Sequence, residues 1–202
     1  MINIFFGYSK KFIAPCIKTF KTAIRENTNS EVRFHSASPE YLGVSETGCT
    51  GFTNCRYMVP QQMGYQGYAI YLGCDMLVLG DIAELWEYRR PGAWVCMEDG
   101  STEVSIIDCS AFSDLPSREK IAEQRKVVWE SVIATRKACI IPPEWNIYDC
   151  YLPADWQPDG TEKLLHFTDL KNQPWFFDNH HCLGAVRLWK KYGGQVHKNY
   201  GI

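Results

Sequence analysis

Tyr68-Ala69-Ile70-Tyr71-Leu72 is an unbroken apolar and aromatic run. It stops at Gly73-Cys74-Asp75 and resumes as Met76-Leu77-Val78-Leu79-Gly80-Asp81-Ile82-Ala83-Glu84-Leu85-Trp86. A strand that is apolar at every position, not at alternate ones, is covered on both faces, as central strands of an α/β sheet are. In open α/β sheets ligands bind beyond the carboxyl ends of such strands, where loops carry the polar chemistry. Asp75 stands at such an end. Downstream, Asp81 is placed to cap a short helix over Ile82–Tyr88, with Glu84 at its third position.

Working outward, Asn3-Ile4-Phe5-Phe6-Gly7-Tyr8-Ser9 reads as a buried strand that breaks at glycine. Ile13, Ile17, Phe20 and Ile24 then recur at helical spacing, with Lys10, Lys11, Lys18, Lys21 and Arg25 elsewhere around the wheel and Pro15 limiting where the helix starts. Glu31–His35 alternates as a second strand, so this region predicts a βαβ unit, whose crossover implies parallel strands. A helix is expected across Asn54–Gln62, strands at Ala93–Met97 and Val104–Ile107, and a polar surface helix over Ser117–Thr135. No repeat, linker or low-complexity stretch interrupts the pattern. The expected fold class is α/β, a Rossmann-like mixed, mostly parallel sheet flanked by helices.

The 202 residues and 23.2 kDa suit a single domain over 1–202. An apolar share of 46% with 22% charged residues supplies a packed core and argues against wide disorder. The formal net charge of −2 leaves no excess of cations for a row of phosphates, which excludes nucleic acid as the expected partner. Nine cysteines form an odd set with no secretory leader before them, and the expectation is reduced thiols in a soluble, cytoplasmic protein. The closest pair, Cys49 and Cys55, lacks the spacing of a zinc knuckle. No apolar run reaches the roughly 18 residues of a transmembrane segment.

Four segments in order add a family resemblance. Phe52-Thr53-Asn54-Cys55-Arg56-Tyr57-Met58-Val59-Pro60 carries Arg-x-x-x-Pro, and Tyr71 to Trp86 carries the strand end and its following helix. Pro142-Pro143-Glu144-Trp145-Asn146 follows, and then His166-Phe167-Thr168-Asp169-Leu170-Lys171-Asn172-Gln173-Pro174-Trp175. Together they resemble family 8 glycosyltransferases, the glycogenin and lipopolysaccharide-sugar transferase group, and related small bacterial transferases. The resemblance implies a GT-A fold and transfer of a sugar from a nucleotide diphospho-sugar, a UDP-sugar in that family, with retention of anomeric configuration. Gly73 stands where the family has the first Asp of Asp-x-Asp, and Ser9 where it has an Asp after the first strand. The Asp169–Trp175 ending is one residue longer than the family's Gly-x-x-Lys-Pro-Trp.

The chemistry follows from the charge on such a donor. A diphosphate gains negative charge as the glycosidic bond breaks, and a divalent cation held by oxygen or imidazole ligands neutralises it. Asp75 and His166 are the expected metal ligands, a mixed set that suits Mn²⁺ somewhat better than Mg²⁺; read alone, they are also an ordinary turn aspartate and a core histidine. Arg56 and Lys171 are the cationic candidates for the diphosphate. Gly7, Tyr8 and Ser9 are placed at the nucleobase and ribose, and Cys74 joins them as a donor-binding position within the motif. Asp75, Lys171 and Asp108 form the expected catalytic set, and Asp149 and Asp99 are further carboxylates considered near the sugar. None is a clear nucleophile, so the reading favours front-face substitution, in which the leaving phosphate takes the acceptor's proton. Trp145 and Asn146 are candidates for the pocket floor, whereas Trp175, Phe176 and Phe177 read as core or lid hinge. The acceptor is an unspecified sugar, glycan or lipid-linked hydroxyl. The rivals are a catalytically impaired nucleotide-sugar binder, motivated by Gly73 and Ser9, and a sugar-binding module, motivated by aromatic content alone.

Overall fold

The computed structural model describes residues 1–8, 14–42, 52–115, 133–168, 173–176 and 180–195. Among them are nine strands: β1 (Ile2–Gly7), β2 (Val32–Ala37), β3 (Tyr68–Gly73), β4 (Met76–Val78), β5 (Trp94–Met97), β6 (Ser105–Asp108), β7 (Lys137–Ile141), β8 (Ile147–Tyr148) and β9 (Leu164–His166). The helices used below are α1 (Ala14–Asn27), α2 (Pro39–Leu42), α3 (Val59–Gln62), α4 (Ile82–Trp86) and α5 (Leu183–Lys191). The chain forms two compact units, one of Met1–Lys11, Ser30–Gly73 and Ala83–Pro142, the other of Phe12–Asn29, Cys74–Ile82 and Pro143–Ile202.

The first unit is built on a six-stranded sheet in the order β2-β1-β3-β6-β5-β7. β1 runs parallel to both β2 and β3, β5 parallel to β7, and only β6 is antiparallel to its neighbours. The mixed, mostly parallel sheet expected from the βαβ reading is therefore present. Ile4, Phe5 and Phe6 of β1 and Ala69–Leu72 of β3 are all buried, which explains their unbroken apolar run. Trp94 is fully buried, and its indole N–H donates to Ser105 Oγ at 2.9 Å, so burial leaves no polar atom unmatched there.

Pairing of Gly7 with Gly73 brings the carboxyl ends of β1 and β3 level. Gly7 is small for a packing reason. A Cβ there would meet the Tyr71 hydroxyl and stand 2.6 Å from Phe52 Cδ2. The single helix expected over Asn54–Gln62 is instead a 3₁₀ helix over Thr53–Met58 followed by α3. Pro60 lacks the N–H that would bond the Arg56 carbonyl in an α-helix, and Val59 N–H takes that carbonyl instead.

The second unit holds a three-stranded sheet, β4-β9-β8, with β9 antiparallel to β4 and parallel to β8. α1 packs on β4, burying Cys16, Phe20, Ala23 and Ile24. The side-chain amide of Asn27 ties the end of this helix to the Val78 carbonyl at 3.1 Å and the Tyr192 hydroxyl at 2.9 Å. Phe167, Trp175 and Trp189 pack edge to face or tilted at 5.1 to 5.9 Å, so Trp175 is core, as is Trp145 at 1% exposure. The helix after Asp81 ends at Trp86, short of the expected Tyr88. Most of the helix expected over Ser117–Thr135 lies outside the described residues.

Candidate metal and anion sites

In the second unit, β4 and β9 set Asp75 beside His166. Met76 pairs with His166 in the antiparallel register, and Phe167 N–H donates to the Asp75 carbonyl at 2.9 Å. Both side chains are buried, and Asp75 Oδ1 lies 3.6 Å from His166 Nε2. On its other side, His166 Nδ1 lies 3.0 Å from Asn146 Oδ1, while the Asn146 amide nitrogen donates to the Tyr148 hydroxyl at 3.1 Å. An amide oxygen only accepts, so Nδ1–H donates to Asn146, and Nε2 is the ring nitrogen turned toward Asp75. Asp75 Oδ1 accepts no hydrogen bond among the described residues.

Asp75 Oδ1 and His166 Nε2, both buried and turned toward each other, are the atom types that bind a shared cation. Ligands at about 2.1 Å from one metal lie roughly 3 to 3.5 Å apart, close to the separation seen. Among the described residues no third His, Cys, Asp or Glu joins them. Gly73 contributes no side chain where the family resemblance has a carboxylate. Asn146, expected at a pocket floor, accepts from His166 Nδ1 and so orients the ring, the kind of support that metal-bound imidazoles have.

The first unit contributes Arg56, 8% exposed. Its Nε donates to the Thr53 carbonyl at 2.8 Å, one Nη donates to Thr102 Oγ1 at 2.9 Å, and the guanidinium lies 5.3 Å from the centre of the Tyr71 ring. No carboxylate pairs with it among the described residues. A guanidinium this buried without a counter-charge is costly, and an arriving anion would relieve that cost. Tyr8 follows β1, half-buried and stacked on Phe6 at 5.8 Å.

Other expected site residues fall elsewhere. Cys74 turns inward, fully buried and hydrogen-bonded to Cys16; burial first, and then that neighbour, push its thiol well above the ordinary range. Its side chain packs the interior and does not face a donor. Asp108 pairs with Tyr68, at the amino end of β3, while Gly73 is at the carboxyl end. Asp108 accepts from the Gly92 N–H at 2.8 Å and from Ser110 N–H and Oγ, capping the turn over Cys109–Phe112. The structure does not bring it to the ligand end of the sheet. Asp99 is an exposed turn residue accepting from Ser101 N–H. Ser9 and Lys171 lie outside the described residues, as does Phe177.

Asp149, considered near the sugar, is fully buried and hydrogen-bonded to His180 Nε2 at 2.8 Å. Its other oxygen accepts from the Thr168 N–H at 2.7 Å and hydroxyl at 3.0 Å. Burial would raise this carboxyl, but His180 and Thr168 outweigh it and hold the group below its usual value. His180 went unnoticed in the sequence because its partner lies 31 residues away. No local spacing links them.

The fold is shared with glycosyltransferases of known structure. The glycosyltransferase GlyE of Streptococcus pneumoniae TIGR4 superposes with a TM-score of 0.68 at 15% identity, over 95% of this chain and 60% of GlyE. The galactosyltransferase LgtC, solved with donor and acceptor sugar analogs, gives 0.69 at 13% identity over 98% of each chain. The bifunctional glycosyltransferase WbbM gives 0.68 at 11% identity, over 95% of this chain and 49% of that one. The chain thus has the GT-A glycosyltransferase fold, and it spans less than two thirds of GlyE. No protein-family model and no curated protein matches its sequence.

Proposed function

We propose that the protein is a glycosyltransferase that moves a sugar from a nucleotide diphospho-sugar, a UDP-sugar, to an acceptor hydroxyl with retention, using Mn²⁺ or Mg²⁺ held by Asp75 and His166. The observation that carries this reading is the buried Asp75 Oδ1, without a hydrogen bond among the described residues and 3.6 Å from His166 Nε2, on a GT-A fold. Bound there, the cation supplies Lewis-acid neutralisation of the diphosphate. Asn146 holds the imidazole through Nδ1, with Nε2 turned toward Asp75. Arg56 supplies a fixed positive charge for an anionic group, already desolvated and so worth more than a surface cation. Lys171 stays a proposed second cation, and Gly7, Tyr8 and Ser9 a proposed nucleoside edge.

Asp108 and Asp149 are both committed to structural hydrogen bonds, which supports substitution without a protein nucleophile. The acceptor oxygen bonds to the anomeric carbon as the carbon–phosphate oxygen bond breaks, and the acceptor proton passes to the departing phosphate oxygen. The acceptor is a sugar, glycan or lipid-linked hydroxyl; among the described residues no helix is long and apolar enough to cross a membrane.

A panel of UDP-, GDP- and CDP-sugars with Mn²⁺ tests the reading: release of uridine diphosphate from one UDP-sugar, lost with chelator, is expected. Gly73, which leaves the metal pair without a third protein ligand among the described residues, favours a second reading, a catalytically impaired binder of the same donor. That protein would bind without releasing diphosphate.

A further inference from the structure

Cys96 on β5 and Cys139 on β7 are direct partners in the parallel register, and their sulfur atoms lie 3.5 Å apart. Adjacent strands hold their backbones about 4.8 Å apart, inside the roughly 4.4 to 6.8 Å that a disulfide spans between Cα atoms. The two sulfurs differ in access. Cys96 is fully buried, whereas Cys139 is exposed on β7, the last strand of the sheet. Cys16 and Cys74 are also in contact, but both are fully buried. Among the described residues there is therefore one thiol pair open to solvent at one end and one sealed pair.

We propose that Cys96 and Cys139 are a dithiol modification site that reacts with small disulfides of the glutathione type and closes a disulfide between β5 and β7. The Cys139 sulfur, as thiolate, attacks one sulfur of the small disulfide, forms a mixed disulfide and releases one small thiolate. The Cys96 sulfur then gives up its proton to solvent and attacks Cys139 Sγ, displacing the second small thiolate. In sum two protein thiols are oxidised and one small disulfide is reduced to two thiols. Burial pushes the Cys96 thiol up to about 12, which assigns the first attack to Cys139 and the resolving step to Cys96.

The test treats the folded full-length chain with glutathione disulfide, alkylates the remaining thiols and maps the peptides by mass spectrometry. The expected product is a Cys96–Cys139 cross-linked peptide, with Cys16 and Cys74 cross-linking only after denaturant is added. In Cys96→Ser the mixed disulfide on Cys139 should persist, and in Cys139→Ser neither product should form. Glutathione remaining on Cys139 of the unmodified sequence while Cys96 stays alkylatable would overturn the proposal, as would no reaction at Cys139 or a native-state link between Cys16 and Cys74.

Discussion

His166 has one ring nitrogen bound to Asn146 and the other turned to Asp75, and that division of labour makes distinct predictions for three residues. Asp75→Ala should abolish metal-dependent nucleotide binding. His166→Ala should weaken it by about 10- to 100-fold or more, and Asn146→Ala, which frees the ring to rotate, by about 10-fold, within the range seen when a metal's supporting shell is perturbed. Titration of Mn²⁺ in the presence of uridine diphosphate checks all three. Gly73 is not among the positive-φ glycines, so an aspartate there meets no backbone strain. Gly73→Asp should bind metal as well as the natural sequence or more tightly. Gly7→Ala should cost about 1 to 3 kcal/mol of stability by overpacking against Tyr71 and Phe52, read from urea unfolding. The sequence marks Gly7 as special but gives no sign that its partner is an aromatic ring 64 residues on, because that contact exists only once β1 and β3 pair.

Among the elements, long buried strands and the amphipathic helix α1 were legible because each carries its own periodicity. β4 and β9 were not. Each has three residues, too few to show alternation, and yet they bring Asp75 and His166 together. β7 was also missed, since Lys137-Ala138-Cys139-Ile140-Ile141 has no regular alternation of burial. The 3₁₀ break before α3 was readable in principle from Pro60, whose missing N–H falls where the helix needs a donor. Asp149 holds Thr168, just past β9, with one oxygen and His180 with the other, and this pairing has a pH signature. Because the folded carboxyl lies below its ordinary value of 3.8, the unfolded chain binds more protons in the window below that value. The pair's contribution is thus complete above that window and is lost as pH falls through the folded value. Asp149→Asn should lose about 1 to 3 kcal/mol at neutral pH and show a shallower acid limb, measured by urea midpoints across pH. Asp108→Ala should cost about 1 kcal/mol through its lost cap, with nucleotide binding unchanged.

At the scale of the whole molecule, a 202-residue chain with the GT-A fold combines a mostly parallel sheet in one unit with a small sheet beside the Asp75–His166 pair in the other. The ordered motifs foreshadowed the fold, and Asp75 and His166, named from separate motifs, lie side by side in it. Cys74 and Asp108, chosen by residue type, fall elsewhere: Cys74 is buried in the turn between β3 and β4, and the β3–β6 register puts Asp108 at the amino end of β3. The central claim is that Asp75 and His166 hold a divalent cation shared with a nucleoside diphosphate. Isothermal titration of uridine diphosphate with and without Mn²⁺, into the natural sequence and into Asp75→Ala, tests it most directly. The account predicts that Mn²⁺ tightens uridine diphosphate binding to the natural sequence and has no effect on the variant; equal tightening in Asp75→Ala would contradict it.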